Sequence, residues 1–272
     1  MKKLGMLALM GILGLGLILP CYAEKIVVEG STTVLPIAQK AAEVYMDKNP
    51  EAKISVRGGG SGVGIASMLD KNCDIANSSR PIKDTELDKA VTNGVDAIAN
   101  IVALDGLAVI VNPANSVTKL SKKQVKDIFM GSVSNWSQLG GSDEKIVVVS
   151  RDTSSGTFEA FTTLVLEGNK TRSSALMQAS NQAVATTVAG TPGAIGYVGL
   201  GFLSSAVKAI EINGVVPSRE TVISGKYPVT RPLFMYTNGK PQGLVKEYID
   251  FILSDEGQKL VEEDGFVGVN EK

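Results

Sequence analysis

The sequence predicts an α/β protein, and three observations carry that expectation. Runs rich in β-branched residues recur at 25–29, 54–57 and 145–149. Each is followed at once by a short turn dense in glycine, serine and threonine. Apolar residues at helical spacing then follow each turn, so the repeated unit is strand, polar turn and helix. With 272 residues the chain is long enough for one large domain or two small ones.

The N-terminus reads as a targeting segment. Lys2 and Lys3 precede an apolar run at 4–19, and Cys21-Tyr22-Ala23 places small residues where a signal peptidase reads them. A mature, extracytoplasmic chain starting at Glu24 is expected, with residues 1–23 removed. Two rival readings are a lipoprotein acylated at Cys21 and an uncleaved anchor. Pro20 beside Cys21 counts against the first, and the shortness of the apolar run counts against the second.

Composition excludes several kinds of chemistry. There is no histidine, which removes Ser-His-Asp catalysis, histidine zinc sites and imidazole pH switching. Only Cys21 and Cys73 occur, too few for a cysteine metal cage, and Cys73 is expected to be buried and inert. Neither a metal nor a cofactor is implied. The formal net charge is −1, or −3 after cleavage, which gives no reason to expect a nucleic-acid partner.

In chain order, strand 25–29 leads through Gly30-Ser31-Thr32-Thr33 to a helix begun at Pro36, with apolar residues at 37, 41, 44 and 45. Strand 54–57 leads through the glycine loop 58–64 to a helix start at 65–69. That glycine spacing is neither the dinucleotide fingerprint nor a P-loop. A fourth polar turn, Asn77-Ser78-Ser79-Arg80-Pro81, follows a short apolar segment. Residues 98–111 read as one long strand, or two broken at Asp105-Gly106. A helix capped by Ser121 ends at Gly131, and Trp136 and Leu139 belong to a core. Strand 145–149, turn 150–157 and helix 158–165 come next, then a segment at 172–189 that looks helical at its start. A glycine-punctuated strand at 193–199, strands at 206–212 and 231–236, and helices at 244–253 and after Ser254 close the chain.

The turn 150–157 shows what such loops can do. The first turn of a helix has N–H groups without intrahelical partners and partial positive charge, and Arg151 adds a planar fork of donors. Any one such turn can be mere capping. Four of one character, two with arginine, at the ends of successive strands converge where α/β sheets bind ligands. The ligand they suit is an oxyanion.

Taken together, Gly30–Pro36, Gly58–Gly62, Asn77–Arg80, Leu104–Val109, Arg151–Thr157 and Gly193–Tyr197 resemble the phosphate-binding proteins of phosphate ABC transporters. The resemblance runs from about residue 25 to the end. It implies a two-lobed periplasmic-binding-protein fold of the type II kind, each lobe a mixed sheet flanked by helices, joined by crossing strands. Lobe I is expected at 24–107 and 202–272 and lobe II at 108–201. A monomer closing on inorganic phosphate, and delivering it to a membrane permease with a cytoplasmic ATPase, is the implied function; no catalysis is.

Carried over by position, the resemblance places Thr32, Thr33, Ser61, Ser79, Arg80, Arg151, Ser155, Gly156 and Thr157 on the phosphate. One departure matters: Ser79 stands where many relatives carry an aspartate that accepts the phosphate proton. Asp105 or Asp152 is the expected substitute, Asp152 serving alternatively to orient Arg151. Two other readings stay open, a receptor for sulfate, molybdate or tungstate, and a phosphatase with Ser61 or Ser155 as nucleophile. Neither serine sits in a nucleophile elbow or a Ser-x-x-Lys motif.

Overall fold

The computed structural model describes residues 24–270; the targeting segment and Cys21 lie outside them. The chain runs β1 (Lys25–Gly30), α1 (Leu35–Lys48), β2 (Lys53–Gly58), α2 (Ser61–Leu69), β3 (Ile75–Ser78), α3 (Asp84–Thr92) and β4 (Ala97–Val111). It continues through β5 (Lys119–Leu120), α4 (Lys122–Met130), β6 (Val147–Arg151), α5 (Gly156–Leu164), β7 (Leu176–Gln178), α6 (Asn181–Gly190) and β8 (Ala194–Gly199). The last part is β9 (Lys208–Ala209), β10 (Glu211–Ile212), α7 (Arg219–Ile223), β11 (Thr230–Asn238), α8 (Gly243–Leu253) and α9 (Asp255–Glu263).

Nine strands form one long mixed sheet in the order β2-β1-β3-β11-β4-β8-β6-β7, with β9 also on β4, and β5 and β10 pair as a separate two-stranded sheet. β4 is one strand of 15 residues and is not broken at Asp105-Gly106. Its first part pairs with β11 and, from Leu107, its second part pairs with β8. β1, β2 and β3 run parallel, as do β6, β7 and β8, so their carboxyl ends and the turns after them collect along one edge of each half.

Packing follows the strand period of two. On β11, Leu233 and Met235 pack with Ile26, Val28, Ile37, Tyr248 and Ile252 under α1 and α8. Phe234 and Tyr236 pack on the other face with Ile65, Met68 and Ala76. A third core gathers Val109, Phe129, Trp136, Val149, Phe161 and Tyr197 and also takes in Val207, Ile210, Ile212, Val222, Tyr227 and Val229. Each such burial contributes roughly 1.5–3 kcal/mol against the exposed side chain. Cys73 is buried and free, and burial pushes its thiol up to about 11. Ser121 caps α4 and Gly131 ends it in the left-handed region at φ 95°.

Two local expectations need correcting. The segment after residue 172 begins as an edge strand, β7, pairing parallel with Val149–Arg151, and helix starts only at Asn181. The extended backbone there turns two carbonyls toward Arg151, which a helix would have consumed. The strand expected at 206–212 divides into β9 on β4 and β10 on β5, because the chain changes partner at Ile210.

Candidate anion-binding site

Four helix N-termini meet between the two halves of the sheet, each opened by a turn that leaves a strand. Ser31 Oγ accepts from Thr33 N at 3.1 Å ahead of α1, and Ser155 Oγ accepts from Phe158 N at 3.2 Å at the cap of α5. Gly60, at φ 99°, opens α2 within reach of the Ser154 backbone, where a Cβ would lie 2.7 Å from the Ser154 carbonyl oxygen. Ser180 caps α6. The first-turn N–H groups of these helices have no intrahelical acceptors, and their dipoles add positive potential at one point.

The turns touch one another across the cleft. Thr33 Oγ1 lies 2.9 Å from Thr157 Oγ1, and Asn181 Nδ2 donates to Thr32 Oγ1 at 3.2 Å and to Thr33 Oγ1 at 3.0 Å. Gly62 N donates to Ser154 O at 2.9 Å, and Ser154 Oγ lies 3.1 Å from Gly59 O. Ser61 Oγ accepts from Ser79 N at 3.0 Å and lies 3.3 Å from Ser79 Oγ. Gly156 packs against both serines: a Cβ there would lie 2.8 Å from Ser61 Cβ and from Ser79 Oγ. Thr32, Thr33, Ser61, Ser79, Ser155, Gly156 and Thr157 thus come together, all buried.

Arg151 supplies charge at this point. Its Nε donates to Gln178 O at 3.0 Å and its Nη2 to Ala179 O at 2.9 Å, while Nη1, buried, has no protein partner. Burial lowers its pKa from the ordinary value, with Asp152 and Tyr197 pulling the other way and Arg231 adding to the fall. The side chain is 1% exposed. Two neutral carbonyls therefore hold the cation, with Asp152 4.0 Å from Nη2, and leave Nη1 buried and free to bond an anion.

The structure places the other expected charges differently. Arg80 donates from Nη2 to Glu86 Oε1 at 2.7 Å and from Nη1 to Glu86 Oε2 at 2.8 Å, and its Nε lies 2.8 Å from Glu159 Oε2. Two carboxylates neutralise it, so it closes the rim of the site and does not charge its floor. Asp105 is fully buried and takes Arg231 Nε at 3.0 Å, Arg231 Nη2 at 2.8 Å and Leu200 N at 2.9 Å. Burial pushes its carboxyl up from the ordinary value, against the pull of Arg231. Asp152 bonds the N–H and hydroxyl of Ser154 and stays 4.0 Å from Arg151 Nη2. Asp105 is thus engaged through both oxygens and Asp152 through Oδ1 alone, and the Gln178 and Ala179 carbonyls hold Arg151 more closely than Asp152 does.

Sequence reasoning missed Arg231 and Asn181. Arg231 faces Asp105 in register on β11, donates from Nη2 to Thr33 Oγ1 at 3.2 Å and from Nη1 to Ser79 O at 3.3 Å. A single charge inside an otherwise apolar strand was the available signal, because a buried charge must be paired. Asn181, at the start of α6, carries no comparable local signal.

Known proteins resemble this chain in sequence and fold. Residues 20–256 match the family described as a PBP superfamily domain. The phosphate-binding protein PstS of Bacillus subtilis is 36% identical over 252 residues, 91% of this chain and 81% of the relative. That of Borreliella burgdorferi is 34% identical, covering 90% of this chain and 91% of the relative. A Clostridium perfringens structure with bound phosphate, assigned as a phosphate ABC transporter substrate-binding protein, superposes with a TM-score of 0.85 at 32% identity. It covers 91% of this chain and all of the other. An ABC-type phosphate transport receptor from Vibrio cholerae gives 0.73 at 33% identity, over 89% of this chain and 99% of that one. With a family match across most of its length and relatives above 30% identity along most of theirs, the chain belongs to the PstS phosphate-binding proteins of the PBP superfamily.

Proposed function

We propose that this chain is the extracytoplasmic receptor that captures inorganic phosphate between two lobes and hands it to an ABC permease. The observation that carries the reading is Arg151 Nη1, buried without a partner beside the N-terminus of α5. A guanidinium left in that state costs several kcal/mol unless an anion completes it. The hydroxyls of Ser61, Ser79, Ser155 and Thr157, with the first-turn amides, supply the remaining donors. Groups from both lobes satisfy the anion only when the cleft shuts, so the ligand shifts the equilibrium by its differential affinity for the closed form.

Packing supports a return crossing later than 202. Residues 207–229 share the core of β6, β8 and α5, so we place lobe I at 24–107 and 230–272 and lobe II at 108–229. Export and cleavage before Glu24 rest on the targeting pattern, and no helix among the described residues is long and apolar enough to cross a membrane. A non-catalytic role fits the serines: Ser61 Oγ bonds Ser79 and Ser155 Oγ caps α5, so neither is set against a base.

Titration calorimetry of ligand-stripped residues 24–272 with phosphate tests the reading; tight binding is expected, and silence overturns it. One observation favours a second reading beside it. With Asp105 engaged by Arg231 and Asp152 Oδ1 by Ser154, neither carboxylate is committed to a phosphate proton, so sulfate is the competitor to titrate next.

A further inference from the structure

Thr33 Oγ1 stands among three polar neighbours: Asn181 Nδ2 at 3.0 Å, Arg231 Nη2 at 3.2 Å and Thr157 Oγ1 at 2.9 Å. A hydroxyl offers two lone pairs and one proton. A guanidinium can only donate. The Asn181 amide is turned to donate as well, because its Oδ1 accepts from Gly199 N at 3.3 Å. Both lone pairs of Thr33 Oγ1 are therefore filled, and its proton has one place left, Thr157 Oγ1. Thr157, having accepted it, must turn its own proton away from Thr33.

We infer that Arg231 is a positioning residue for the anion: with Asn181 it fixes Thr33 as a donor, and so makes Thr157 Oγ1 present its proton to the ligand. This inference rests on the anion-receptor reading above. Arg231 does not act as the anion's counter-charge, since Asp105 takes its Nε and Nη2 and holds the fork at one angle. Its part is direction and polarisation, because hydroxyls chained behind a cation donate more strongly than hydroxyls alone. The device also reports closure. Thr33 lies ahead of α1, Asn181 and Thr157 lie on α6 and α5 across the cleft, and Arg231 lies on the crossing strand β11. When the lobes part, Thr33 loses Asn181, regains a lone pair and is no longer bound to donate.

A double-mutant cycle read by phosphate calorimetry tests this, with thermal melting to follow folding. Arg231→Gln is made together with Asp105→Asn so that no buried charge is orphaned, and Thr33→Val removes the hydroxyl. Each change alone is expected to weaken phosphate binding about 10- to 100-fold, the scale of one hydrogen bond to a charged group. The combination is expected to be no weaker than Thr33→Val alone, and Thr33→Ser should restore both affinity and sensitivity to the pair. If the pair substitution melts the fold, Arg231→Lys takes its place; it keeps Asp105 paired but cannot reach Thr33 as well. Losses that multiply in the combined variant, or near-native affinity in Thr33→Val, overturn the inference while leaving the receptor reading intact. A wild-type chain that takes up no phosphate overturns that reading and this inference with it.

Discussion

Arg80 and Glu159 form an ion pair, Nε to Oε2 at 2.8 Å, that ties the turn after β3 to the first turn of α5 across the cleft. Lys83 Nζ joins the same carboxylate at 2.9 Å. Neither arm touches the floor of the site, so the pair stabilises closure without binding ligand. Glu159→Gln is expected to weaken phosphate binding by about 0.5–1.5 kcal/mol, with a smaller difference in high salt. Calorimetry at two ionic strengths checks this, and unchanged affinity would show that the anion alone closes the lobes.

Glu86 holds the other side of Arg80. Burial opposes its ionisation, yet the Arg80 hydrogen bonds and the Lys83 N–H together keep its pKa below the ordinary carboxylate value. A carboxylate lowered on folding contributes stability above its unfolded pKa and loses it as pH falls through the folded one. Glu86→Gln should therefore cost about 1–3 kcal/mol at pH 7, and the gap to wild type should narrow as pH falls below the ordinary carboxylate range. Urea unfolding across that range measures it; a gap independent of pH would assign the loss to packing.

What the sequence made legible was local. Ser121 and Gly131 bracket α4 and Ser155 caps α5, because caps are decided by residues within one turn. The polar turns were visible for the same reason, and so was their convergence, since parallel strands bring such turns to one edge. What failed was decided at a distance. Arg80 beside two hydroxyls looked like a ligand, but Glu159, 79 residues on, claims it. Asp105 looked available until the register of β4 and β11 set Arg231 against it. The segment at 172–189 has helical apolar spacing, yet the chain stays extended where Arg151 takes its carbonyls. Charge pairing between distant strands overrode local pattern in each case.

Arg151 keeps one buried nitrogen, Nη1, without a partner, and its nearest carboxylate, Asp152, stands 4.0 Å from Nη2. Arg151→Ala should reduce phosphate affinity by about 3–5 kcal/mol, the scale of an enclosed charge stripped of its partner. Arg151→Lys should recover little, since an ammonium cannot bond both the Gln178 and Ala179 carbonyls and still extend a fork to the anion. Near-native binding in either variant, by calorimetry, would move the role to Arg231.

Gly156 sets how closely the two lobes approach. An added Cβ would meet Ser61 Cβ and Ser79 Oγ, each at 2.8 Å, at the point where both lobes donate. Gly156→Ala is expected to lower phosphate affinity at least about tenfold by holding the cleft ajar, on the scale of a small overpacking of 1–3 kcal/mol. Small-angle scattering with saturating phosphate should show a smaller contraction than wild type. An equal contraction would mean that the serines move aside.

Selectivity turns on what can accept a proton at the floor. Hydrogen phosphate carries one and sulfate carries none at neutral pH, so a carboxylate there would bond the first and clash with the second. Asp105 is saturated by Arg231 and Leu200, and Asp152, 39% exposed at its side chain, is held by Ser154. Ser79 Oγ, 3.3 Å from Ser61 Oγ, is the group left at the expected position. A hydroxyl can rotate, accepting from phosphate or donating to sulfate, and so separates the two anions weakly. Asp152→Asn should therefore leave the phosphate-to-sulfate affinity ratio within about twofold, while Ser79→Asp should raise it at least about tenfold. Competition calorimetry with the two anions decides the matter: a ratio that collapses in Asp152→Asn would make that aspartate the acceptor after all, reached by a turn of the 152–154 loop.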